Sequence, residues 1–90
     1  MPENIIFDPA KDATNCAKHG ISLAEARGIE WDTLYAVEDR RRDYGEPRMR
    51  GLAYIGMRLY AVAFVDRGDE RRIISLRKAN AREVKHYAEA

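Results

Sequence analysis

Ninety residues at 10.3 kDa leave room for one domain, and a hydrophobic share of 46% beside a charged share of 34% supports a modest core rather than disorder. The single cysteine, Cys16, excludes an internal disulfide framework and a cysteine-built zinc site, and the longest apolar run, residues 59–65, is far too short for a membrane span. The net charge of +1 hides an asymmetry: residues 1–39 carry three basic against eight acidic groups, and residues 40–90 carry thirteen against seven.

The first short apolar stretch, 5–7, runs into Asp8-Pro9, a helix-start pair, so a helix is expected from Pro9 to about Lys18, closed by His19-Gly20. Ser22 and Glu25 stand three apart after Ile21, as in a capping box, and predict a second helix from Leu23, with Leu23, Ala24 and Trp31 on one face. From Tyr35 a weak alternation predicts a strand, followed by a turn at 43–45. Residues 48–55 and 58–65 read as a hairpin around Gly56-Met57. The second of these strands is apolar on both faces, Tyr60, Val62 and Phe64 on one and Leu59, Ala61, Ala63 and Val65 on the other, so it is expected to be central. After a turn at 67–70, strict alternation along 71–78 places Ile74 and Leu76 on one face and Ile73, Ser75 and Arg77 on the other. Asn80 and Glu83 open a last helix whose apolar stripe is Ala81, Val84, Tyr87 and Ala88. The order predicts an α+β domain over 1–90: about four antiparallel strands, two N-terminal helices and one C-terminal helix. One sheet face is expected under helices and the other under arginines.

Eleven of the thirteen cations after residue 39 are arginine, whose planar fork matches phosphate oxygens and stacks on bases. This points to a polyanion partner; a solvated strand face is the structural alternative. A strand alternating core residues with arginine, as in 72–79, holds guanidinium groups rigidly toward one side, where they stabilise developing negative charge. Glu46, beside Arg48, reads as a base or as a salt-bridge partner that spaces the cations. His19 reads as a cap on helix carbonyls and His86 as a solvated residue, so a two-histidine nuclease is not expected. Neither a phosphate loop nor a metal-ligand cluster is legible, and no cofactor or metal is expected.

Phe7-Asp8, Asn15, Lys18-His19-Gly20, Glu25-Ala26, the segment 43–48, Arg67-Gly68, the segment 72–79 and Glu83 with Tyr87 resemble the BrnT family of toxins over nearly the whole chain. The resemblance implies a RelE-like fold and a ribonuclease of a type II toxin–antitoxin system; the lack of disulfide staples fits a reducing cytoplasm, and the short apolar run predicts no membrane partner. The resemblance also implies metal-independent cleavage in which the RNA's own 2′-hydroxyl attacks, leaving a cyclic phosphate. The implied partner is a BrnA-like ribbon-helix-helix antitoxin, in a two-plus-two complex that binds operator DNA through the antitoxin. Carried onto this sequence, the catalytic candidates are Arg48, Arg72, Arg77 and Glu46, and the RNA-binding candidates are Lys78, Ser75, Arg50 and Tyr87. The alternative is a degenerate, non-catalytic homologue that acts only as a binding partner in the operator complex.

Overall fold

The computed structural model describes residues 4–43 and 45–90; Tyr44, within the turn expected at 43–45, lies outside the described residues. Asp8 caps helix α1, Pro9–His19, by accepting from the Ala10 N–H at 2.8 Å, and Gly20 closes it at a φ of 71°, as the sequence predicts. The expected second helix is instead a 3-10 segment, Leu23–Gly28. Asp12 of α1 accepts from the Ser22 hydroxyl at 2.9 Å and from the Leu23 N–H at 2.7 Å, which pins the start of this segment. Leu23 and Ala26, fully buried, lie three apart, the repeat that a 3-10 turn aligns on one side. Trp31 is not on this segment but in the following strand.

The sheet has five strands rather than four: β1 Asn4–Ile6, β2 Ile29–Glu38, β3 Met49–Ile55, β4 Arg58–Arg67 and β5 Glu70–Lys78, in the order β1-β5-β4-β3-β2. It is mixed, because β1 pairs parallel with β5 while the other pairs are antiparallel. β4 is central, as its two apolar faces require. Beyond the short β1, the Asn15 side chain of α1 occupies the free edge of β5, donating to the Leu76 carbonyl at 2.8 Å and accepting from the Leu76 N–H at 3.1 Å.

Two irregularities set the faces. In β2, Glu30 pairs with Tyr54 and Tyr35 with Leu52, so the residues between them are extra to the pairing and form a bulge. The Thr33 hydroxyl takes over as acceptor for the Tyr54 N–H at 3.0 Å. Beside this bulge, β3 approaches so closely that a Cβ on Gly51 would lie 2.6 Å from the Tyr35 carbonyl oxygen. In β5, Ala63 pairs with Ser75 but Phe64 with Ile73, which leaves Ile74 as an extra residue. Strict alternation fails there. Ile73 and Leu76 are both fully buried on the core face, and Arg72, Ser75 and Arg77 come to share the opposite one.

The main core packs Leu23, Ala26, Val62, Phe64, Ile73 and Leu76 under the 3-10 segment. Arg71 is part of it: it is buried, paired with Asp66 through two hydrogen bonds, and stacked 4.5 Å from the Trp31 ring centre and 4.3 Å from that of Phe64. A second cluster, Leu52, Leu59 and Ala79 with Tyr54 and Tyr87, lies on the opposite face, beneath helix α2, Ala81–Glu89. Helices therefore cover parts of both sheet faces, and the arginine-bearing face is not bare. The capping box of Asn80 and Glu83 is present. The expected apolar stripe of α2 is not its contact face: Ala81, Val84 and Ala88 are exposed, and Glu83 with Tyr87, one turn apart, meets the sheet.

Candidate nucleic-acid interface

Pairing across the sheet orders the face opposite the main core into rows. Tyr35, Leu52, Ala61 and Arg77 form one row, and Val37, Arg50, Ala63 and Ser75 the next. Val65 and Arg72 continue the series, with Arg48 just ahead of β3 beside them. Four strand residues separate the outer rows, roughly 14 Å along the strand. Small side chains at Ala61 and Ala63 lower the centre, and arginines rise on either side.

Two hollows result. The first, about 390 Å³, is lined by Arg48, Arg72, Arg67 and Lys11 around Glu46. Glu46 accepts from Arg67 through both carboxylate oxygens. Those hydrogen bonds, with the charges of Arg67, Arg72 and Arg48, hold its carboxyl below the usual carboxylate range. A carboxylate so held is a weak proton acceptor. The Nε of Arg72 is buried and has no hydrogen-bond partner among the described residues.

The second hollow, about 580 Å³, lies between the end of α1, the sheet and α2, with Arg50, Ser75 and Arg77 on its walls. Arg77 forms a two-bond pair with Glu83 at 2.8 and 2.9 Å. Hydrogen bonds from Arg77 lower the Glu83 pKa against a burial that raises it, and the Asn80 N–H and the charge of Arg50 add to the lowering. The folded-state pKa is depressed, so this contribution to stability is present above the unfolded value, near 4.3, and fades as pH falls through the folded one. We expect the melting-temperature gap between wild type and Glu83→Gln to be constant above about pH 5 and to close in acid. A gap independent of pH would separate the helix cap from the ion pair.

The remaining predicted residues lie elsewhere. Lys78 is exposed at the end of β5, pairs with Tyr60 of the core face, and lines a third hollow with Lys18 and Glu25. Tyr87 donates its hydroxyl to the Thr33 carbonyl and packs edge-on against Tyr54 at 5.6 Å, so it anchors α2 to the β2 bulge. Pattern reading set His19 and His86 aside as a helix cap and a solvated residue and did not single out Tyr35; all three line the second hollow together with Arg50 and Arg77. Tyr35 is 44% exposed and meets His86 edge-on at 6.0 Å. The order Lys18-His19-Gly20 was a signal in the sequence, but nothing local shows that His19 faces a residue of the last helix. Among the described residues no three His, Cys, Asp or Glu side chains are placed to hold a metal ion together, and no helix is long and apolar enough to cross a membrane.

Residues 7–83 match the family described as ribonuclease toxin, BrnT, of type II toxin-antitoxin system. The chain belongs to the BrnT family. Among solved structures it is similar to the Brucella abortus ribonuclease toxin BrnT, known from a 1.1 Å crystal structure, with 26% identity and a TM-score of 0.68. The match covers 86% of this chain and 96% of that one. Comparison with curated proteins finds no match. A BrnT-family chain is a ribonuclease toxin by class.

Proposed function

We propose that this chain cleaves RNA without a metal ion, by attack of the ribose 2′-hydroxyl on the adjacent phosphate, and that it thereby inhibits translation. The observation that carries the reading is the row of guanidinium groups on one sheet face: Arg48 and Arg72 in one hollow, Arg50 and Arg77 in the next. Side chains fixed on paired strands meet a phosphate with little reorganisation and stabilise the charge that builds on it as the bond breaks. Ser75, between the two arginine pairs, adds a hydroxyl donor. The Brucella abortus protein is named a ribonuclease toxin, in keeping with this chemistry.

The partner in this reading is a BrnA-like antitoxin with a ribbon-helix-helix part, in a two-plus-two complex that represses its own operon. It covers the arginine face. The outer side of β2, unpaired in the sheet order and bearing Tyr35 and Val37, each 44% exposed, offers an edge for strand addition.

Expression of the chain alone is expected to arrest growth and deplete RNA. The purified protein is expected to cut RNA equally with and without EDTA, leaving 2′,3′-cyclic phosphate and 5′-hydroxyl ends, the latter read by direct kinase labelling. Intact RNA in the presence of folded protein overturns the nuclease reading. Combined with tight antitoxin binding, that result leaves a non-catalytic partner of the operator complex.

A further inference from the structure

The proposed reaction moves two protons: one leaves the 2′-hydroxyl and one must reach the departing 5′-oxygen. The arginines can do neither, since a guanidinium stays charged at any physiological pH. The two carboxylates near them are each bound by an arginine fork and held ionised. An ionised carboxylate cannot donate, and one with a lowered pKa accepts poorly. Ser75 has no base beside it on the row. Beside Lys18 and Tyr35, the second hollow also holds two imidazoles, one brought by each helix. His19 ends α1, along the β5 edge, and His86 stands on α2 against Tyr35 of β2. Both residues line the same hollow.

His86 packs edge-on against Tyr35, and neither imidazole is held by a polar partner among the described residues. Among the described residues neither makes a hydrogen bond or an ion pair, and both residues are exposed. The α1 terminus is closed by the Gly20 N–H on the Cys16 carbonyl at 2.9 Å, without His19. An imidazole is chemically able both to accept and to donate a proton, which a guanidinium and an arginine-bound carboxylate are not.

From this juxtaposition we infer that His19 and His86 are the general acid–base pair of the hollow, acting on one phosphodiester held between them by Arg50 and Arg77. The inference rests on the nuclease reading above and deepens it. The neutral imidazole takes the 2′-hydroxyl proton as the 2′-oxygen bonds to phosphorus. The bond from phosphorus to the 5′-oxygen breaks, and the protonated imidazole gives that oxygen its proton. The products are a 2′,3′-cyclic phosphate and a 5′-hydroxyl, with the two rings left in exchanged protonation states. The exposed Tyr35 ring, edge-on to His86, is placed as a stacking surface for the base next to the cut.

The charged and titratable groups sharing the hollow with the two rings are Lys18, Tyr35, Arg41, Arg50, Arg77 and Glu83. They bear on where each limb of a pH–rate profile falls, but substitution of a ring removes its own limb wherever that lies. The test is single-turnover cleavage of an RNA oligonucleotide by wild type, His19→Gln and His86→Gln across pH. Binding of the same sequence in 2′-O-methyl form is measured by anisotropy, and folding by thermal melting. Each variant should cut about a hundredfold slower or worse. Binding should stay within about threefold, melting should be unchanged, and each variant should lose a different limb of the profile. A substrate with a bridging 5′-sulfur, whose leaving group needs no proton, should restore the variant that lacks the acid and not the one that lacks the base.

The inference is overturned if both variants cut at the wild-type rate with both limbs intact, or if binding falls in step with rate. In those cases wild-type cleavage still stands and the nuclease reading survives. Should wild type itself leave RNA uncut, both fall together.

Discussion

Arg72→Gln is expected to lower the RNA cleavage rate by about 10²–10³-fold, and Arg72→Glu to abolish measurable cleavage, with folding retained in both. Arg72 has a buried Nε–H that no group among the described residues accepts from, in a hollow with Arg48, Arg67 and Lys11. An unpaired buried donor is unfavourable in the free protein and becomes satisfied when an anion enters, so it discriminates between the empty and the phosphate-filled site. Glutamate adds repulsion twice, from the phosphate and from Glu46. The neighbour Arg71 is the natural control. It lies on the core face, with its charge met by Asp66 and its plane between Trp31 and Phe64. Arg71→Lys should reduce stability and leave the specific activity of the folded fraction unchanged. Stopped-flow cleavage and chemical denaturation on the same preparations separate the two effects. Equal losses of activity from both substitutions would show that the face assignment of β5 has no bearing on function.

How far the sequence reaches is clearest at that pair of arginines. Alternation along 71–78 puts Arg72 with Ile74 and Leu76, opposite Arg77, and so splits the proposed site between two faces. The extra residue at Ile74 changes the parity and reunites them. A bulge is a relation between β5 and β4, decided by which pairing buries Ile73 and Leu76 together, and no window of β5 alone carries it. The same holds for β1, a three-residue strand whose parallel partner lies some sixty-five positions on. It holds as well for β2, where the bulge around Thr33 breaks the alternation that would have revealed a strand starting at Ile29.

Local signals carried through. Asp8-Pro9 and Gly20 bound α1, Asn80 and Glu83 cap α2, and the two-sided apolarity of β4 marks the middle of the sheet. The candidate site divides in the same way. Arginine enrichment on one strand is visible in a line of residues, and it directs attention to Arg72 and Arg77. That His19 and His86, sixty-seven positions apart, line one hollow is a tertiary fact. Read helix by helix, each histidine has a plain structural explanation, and His86 is indeed exposed; their place on one hollow is what the acid–base proposal adds. Tyr87 shows the reverse: a resemblance singles it out for RNA, and its hydroxyl on Thr33 and ring on Tyr54 account for it within the fold.

The largest expected loss of stability comes from Asn15, a polar residue 95% buried on the inner side of α1. Its amide nitrogen donates to the carbonyls of Ile21 at 2.9 Å and Leu76 at 2.8 Å, and its oxygen accepts from the Leu76 N–H at 3.1 Å. A primary amide presents a donor and an acceptor side by side, as an adjoining strand would, so Asn15 completes the edge of β5 where β1 has ended. Asn15→Leu keeps the size and removes all three bonds. Two backbone groups of Leu76 and one of Ile21 then lose their partners away from water, at about 1–3 kcal/mol each. Allowing for relaxation, a loss of about 3–5 kcal/mol is expected, against a total of roughly 5–13 kcal/mol for a chain of this length. Asn15→Asp should do no better at neutral pH. It retains the Leu76 N–H bond but turns a carboxylate oxygen toward two carbonyls. Urea denaturation gives the free energies, and amide hydrogen exchange locates them: protection should fall first at Leu76 and along the outer side of β5. If Asn15→Leu unfolds at the wild-type urea concentration, this edge is held by apolar packing of α1 alone. The activity consequence follows from the geometry, since β5 carries Arg72, Ser75 and Arg77 on one side and the Asn15 contact on its edge. A loosened edge widens both hollows at once, so cleavage should fall before global unfolding is complete.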